Sequence, residues 1–106
     1  MRITSLEQEI IKLHVRKHFG MNADVYIFGS RVDNNRKGGD IDLYITTDMS
    51  ASEIIREKIS LLVELENAIG EQKIDVVINN RTKRKPIYEI AEKEGVKLWI
   101  TIRPWN

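Results

Sequence analysis

The seven residues Asp40 to Thr46, DIDLYIT, alternate between two faces. Ile41, Leu43 and Ile45 fall on one side and Asp40, Asp42 and Tyr44 on the other, the period of two that belongs to a β-strand. Apolar partners must cover the first face, so the strand belongs to a sheet with another layer packed on it. The second face sets two carboxylates two residues apart, about 6–7 Å at the Cα level. Like charges that close cost free energy unless something positive lies between them.

The rest of the chain alternates helix and strand around this segment. Thr4-Ser5-Leu6-Glu7 has the form of a capping box and opens a helix over residues 5–19, with Leu6, Ile10 and Leu13 at helical spacing and Gly20 as the stop. Ala23 to Phe28, rich in β-branched and aromatic residues, is a strand. The segment 29–39, GSRVDNNRKGG, is dense in Gly, Asn and Asp and forms a loop. Ser50-Ala51-Ser52-Glu53 opens a second helix carrying Ile55, Ile59, Leu62 and Ile69 before Gly70. Lys73 to Ile78, KIDVVI, is a third strand, with Asp75 on the face opposite Ile74, Val76 and Ile78. A basic turn, RTKRK, then leads to Pro86 at a first helical position, a short helix ending at Gly95, and a final edge strand VKLWI. The alternation predicts the α/β class, of α+β type, in two or three layers. No linker or repeat interrupts the 106 residues, so residues 1–106 read as a single domain.

Composition excludes several chemistries. Without cysteine there are no disulfides, thiolate metal sites or cysteine nucleophiles. A net charge of +1 gives no global electrostatic case for binding nucleic acid or a membrane surface. No apolar run approaches the roughly 18 residues of a membrane span, and the start MRITSLEQEI lacks the apolar core of a signal peptide. The expected compartment is the cytoplasm.

What remains is carboxylate chemistry. Asp40 and Asp42 can reach one hard cation or a close pair, and oxygen-only ligands select Mg²⁺ or Mn²⁺ over zinc. Asp75 joins them if its strand neighbours theirs, and two divalent ions would turn the trio into a phosphoryl-transfer site. Gly29 lets backbone N–H groups approach an anion, Ser30 adds a hydroxyl donor, and Arg31 offers a fork for phosphate oxygens. His14 and His18, one helical turn apart, have zinc-compatible spacing but no third ligand nearby, and read as helix-surface residues or a helix C-terminal charge. The run Arg81, Lys83, Arg84 and Lys85 reads as a solvated loop. Trp99 reads as core or edge packing, and Trp105 as an aromatic on a short terminus.

Gly29-Ser30, nine residues, then Asp40-Ile41-Asp42-Leu43, with the later Asp75, resembles the nucleotidyltransferase signature of the DNA polymerase β superfamily. The length resembles the minimal nucleotidyltransferases (MNT) encoded beside HEPN-domain toxins. That resemblance implies a polymerase-β-like fold, a mixed sheet flanked by helices. It implies transfer of AMP from ATP to a hydroxyl, with Mg²⁺ (two ions, or Mn²⁺) bound by Asp40, Asp42 and Asp75. Asp75 would also draw the proton from the attacking hydroxyl, and Gly29, Ser30 and Arg31 would hold the β and γ phosphates. The implied acceptor is a tyrosine of a HEPN-domain toxin, silenced by AMP in a type VII-like toxin–antitoxin pair, within a homo- or hetero-oligomer. The alternatives are an antitoxin that acts by binding alone, and transfer to a small-molecule or RNA hydroxyl. Many relatives carry a second arginine where this chain has Asp33.

Overall fold

Both capping boxes form. In the computed structural model, which describes residues 3–29, 32, 40–70 and 72–98, Thr4 Oγ1 accepts from the Glu7 N–H at 3.0 Å while Glu7 Oε1 accepts from the Thr4 N–H at 2.9 Å. Helix α1 (Ser5–Phe19) starts there. Ser50 and Glu53 reciprocate in the same way at the head of α2 (Ala51–Ile69). Two otherwise orphaned N–H groups are satisfied at each start, a contribution of about 1 kcal/mol per cap. Pro86 opens α3 (Pro86–Glu94), where its missing N–H costs nothing.

Four strands form a mixed sheet in the order β3-β2-β1-β4 among the described residues: β1 (Asp24–Phe28), β2 (Ile41–Thr46), β3 (Ile74–Asn79) and β4 (Val96–Leu98). β1 is antiparallel to both β2 and β4. β2 and β3 are parallel, joined across the sheet by α2. Of the expected final strand, Val96 to Leu98 is formed and lies at an edge; Trp99 and Trp105 fall outside the described residues.

The period of two sorts side chains into two cores. Val25, Ile27, Ile41, Leu43, Ile45 and Val76 face α1 and α2, meeting Ile11, Val15, Phe19, Leu61 and Leu65. On the reverse face Tyr44, fully buried, packs with Tyr88 and Ala91 of α3, flanked by Tyr26, Phe28 and Val77. The Tyr44 hydroxyl donates to Glu92 and accepts from Asn79 Nδ2 at 2.9 Å. Burial, then the bond to Glu92, pushes its pKa up to about 12. The domain is therefore three layers: helix pair, sheet, single helix. No helix among the described residues is long and apolar enough to cross a membrane.

The helix faces differ from the expectation. Leu6 and Leu13 remain 70% and 66% exposed, and Ile55 and Ile59 66% and 61%. The expected Ile10, Leu62 and Ile69 do pack against the core, half-buried, beside the buried stripes Ile11–Val15–Phe19 and Leu61–Leu65. Each helix offers two apolar sets at helical spacing, and the sheet selects the one whose side chains interlock with its own. Leu61→Ala is therefore expected to cost about 2–5 kcal/mol in urea denaturation, and Leu13→Ala no more than about 0.5 kcal/mol.

Candidate active site

Strand register assembles the carboxylates. The antiparallel β1–β2 pair sets Phe28 opposite Asp42, so Gly29 follows beside that residue. The parallel β2–β3 pair sets Asp42 directly opposite Asp75. Opposed residues on neighbouring strands point to one face, with strands about 4.7–4.9 Å apart. Asp40 lies two residues upstream of Asp42 and so on the same face. The Ile41 N–H donates to the Lys73 carbonyl at 3.0 Å, which fastens the starts of β2 and β3 together.

All three acids lie on the α3 side of the sheet, and α3 leaves their corner open. The helix crosses from the β3 side, where the Tyr88 hydroxyl donates to the Ile78 carbonyl, to β1, where Gly95 abuts the Ile27 carbonyl. At the corner where β2 and β3 begin, α3 does not reach the acids: Asp75 is exposed, and Asp40 and Asp42 are half-buried. Crowding shows in the electrostatics. The Asp42 carboxyl is held above the ordinary carboxylate range by burial first, then by the charges of Asp75 and Asp40, with Lys73 acting against them.

Gly29 forms the wall of this corner. Its φ is +76°, and a Cβ there would lie 2.2 Å from Asp42 Oδ2. The glycine backbone thus lies against the carboxylate in space that any side chain would fill. The Val32 N–H bonds back to the Gly29 carbonyl at 3.2 Å, which turns the chain immediately after the strand. Ser30, Arg31 and Asp33 lie outside the described residues.

Sequence reasoning missed Lys73. Its Nζ stands 3.5 Å from Asp40 Oδ2, the one cation in ion-pair contact with the trio among the described residues. The signal was the lysine immediately preceding IDVVI, which the register places at the mouth of the acidic corner.

Other singled-out residues go elsewhere. His18, in the last turn of α1 as the second of its two readings places it, holds its ring between the helices rather than on the open surface, Nδ1 2.9 Å from Glu57 and Nε2 2.7 Å from Glu64. His14 Nδ1 bonds the Ile10 carbonyl at 2.8 Å. The basic run is largely engaged: Arg81 with Asp48 and Thr46, Arg84 with Glu89, Lys85 over the Tyr88 ring.

Among the described residues no group of three or more histidine, cysteine, aspartate or glutamate side chains stands closed around a point that could hold a metal ion. Fit is therefore judged by donor chemistry. Three carboxylates on one face, one with its proton affinity raised by burial and then by the other two, offer a hard, oxygen-only ligand set that a divalent cation would relieve of repulsion. These residues suit a hard divalent cation such as Mg²⁺ or Mn²⁺.

A family model described as "Polymerase beta, Nucleotidyltransferase" matches residues 8–101, a span that holds Gly29, Asp40, Asp42 and Asp75. Among curated proteins, none matches the chain.

Proposed function

We propose a reaction from one premise: the chain belongs to the polymerase β nucleotidyltransferase family. Members transfer a nucleoside monophosphate from a nucleoside triphosphate to an acceptor. The finer reading is that this chain moves AMP from ATP to a hydroxyl, that of a tyrosine on a HEPN-domain toxin, as the catalytic antitoxin of a toxin–antitoxin pair. The observation that supports it is the register that sets Asp42 opposite Asp75 beside Asp40, at a corner of the sheet that α3 does not cover.

In this reading Asp40, Asp42 and Asp75 would hold Mg²⁺, which when bound neutralises the phosphates and eases ionisation of the acceptor hydroxyl. Gly29 offers backbone N–H groups to the β and γ phosphates, joined by Ser30 and Arg31. The acceptor oxygen attacks the α-phosphorus, the bond from that phosphorus to the bridging oxygen breaks, and pyrophosphate leaves with the electron pair. Asp75, at the exposed rim, takes the hydroxyl proton.

Incubation with Mg-ATP and a HEPN-domain RNase from the same genome is expected to add one AMP to a partner tyrosine, read by intact mass and fragmentation, with RNase activity lost in step. Asp75→Asn is expected to lower the rate by at least roughly 10²-fold. A second reading is neutralisation by binding alone, favoured by Asp33 standing where many relatives carry a basic residue. Inhibition of the partner with no change in its mass would select it.

A further inference from the structure

β3 has a single strand neighbour, β2, so the outer side of its backbone has no strand on it among the described residues; there the Tyr88 hydroxyl bonds the Ile78 carbonyl, which keeps a second lone pair for an incoming strand. Open edges in soluble domains are usually blunted by charge, proline or a bulge. Here the edge runs Val76-Val77-Ile78, and grooves of about 370 and 280 Å³ lie along it between α2 and the start of α3. Both are lined by Ile54, Ile55, Ile78 and Tyr88. Ile55 and Ile59 add exposed apolar surface on the outer side of α2. The polar charge along these grooves has one sign. Lys58, Lys83 and Lys85 line them, no carboxylate does, and none of the three lysines forms a salt bridge among the described residues.

We infer that this edge takes up a β-strand from a partner protein, one that alternates apolar and acidic residues. Backbone groups of β3 would supply the ladder, the isoleucines the pockets for apolar side chains, and the lysines the complement to the acidic ones. Charge decides against a second copy of the chain. A two-fold contact sets a patch against itself, which here brings three lysines up against three lysines. A strand added to β3 also runs past Asp75, which would deliver a partner's hydroxyl to the acidic corner. That last point rests on the role proposed for Asp75; the docking does not.

The test uses the full chain, ¹⁵N-labelled, titrated with a synthetic peptide Glu-Val-Glu-Ile-Glu-Val-Glu and with its lysine counterpart. The acidic peptide is expected to shift the amides of Ile74–Asn79, to slow hydrogen exchange on the outer side of β3, and to bind at least roughly tenfold more tightly than the basic one. The double variant Lys58→Glu, Lys83→Glu should invert that preference. Ile55→Asp should weaken binding by about tenfold or more, while Leu6→Asp, on the outer face of α1, leaves it unchanged. Because the readout is binding, its success or failure is separate from that of nucleotidyl transfer. The inference is overturned if neither peptide shifts β3 at millimolar concentration, or if both bind equally. It falls also if the chain forms a dimer that Ile55→Asp dissolves, or if the outer β3 amides are already protected in the free monomer.

Discussion

Asp42→Asn is expected to abolish nucleotidyl transfer, lowering kcat by about 10³-fold or more, while leaving the fold in place. The side chain is half-buried beside Asp75 and Asp40, so losing its charge would remove the central member of the proposed metal-binding trio at no steric cost. The same substitution is expected to stabilise the metal-free protein near neutral pH. Burial, Asp75 and Asp40 raise the folded-state proton affinity of Asp42 above its ordinary value of 3.8. The folded state thus holds that proton more tightly than the unfolded chain does. Stability therefore falls as pH rises from the ordinary value through the raised one, and the whole penalty is present above it. Asparagine carries no such penalty, so the variant should melt higher than the parent at neutral pH, with the gap closing as pH falls from the raised value towards 3.8 and absent below it. Added Mg²⁺ should raise the melting temperature of the parent more than that of the variant. Transfer that continues at the parental rate, or a variant that melts lower at neutral pH, would count against the assignment.

Gly29→Ala has the second-largest expected effect. The new methyl would need the space 2.2 Å from Asp42 Oδ2, at a φ of +76°. Holding alanine in that region costs about 1–2 kcal/mol, and the carboxylate must move aside. A displacement of about 1 Å at a reacting centre can cost 10²-fold in rate. The expected outcome is a loss of transfer of that order, with a fall in stability small enough to keep the protein folded at 25 °C. Steady-state kinetics beside thermal melts separate the two effects. A fully active Gly29→Ala would mean that the backbone approach to Asp42 is not needed.

Much of this was legible before any coordinates, because short-range rules decide it. The capping residues Thr4 and Ser50 fix helix starts through bonds three residues away. The alternation from Asp40 to Thr46 fixes which side chains share a face. What the sequence left open was long-range. Nothing in KIDVVI states that its strand lies next to β2, and only that pairing sets Asp75 opposite Asp42. That Leu6 and Leu13 stay outside while Ile11, Val15 and Phe19 go in is likewise decided by the sheet, since both sets satisfy the helical period. His18 looked like a surface residue because its partners, Glu57 and Glu64, are 39 and 46 residues away. Lys73 escaped notice because its target, Asp40, lies on another strand.

The position of β3 at the rim of the sheet has a consequence for when the site exists at all. Among the described residues β2 has a strand on each side, whereas β3 has one. Loss of that single pairing, an opening smaller than global unfolding, would part Asp75 from Asp42 and leave the acidic trio incomplete. Anything that holds β3 from outside would therefore also hold the third acid in place.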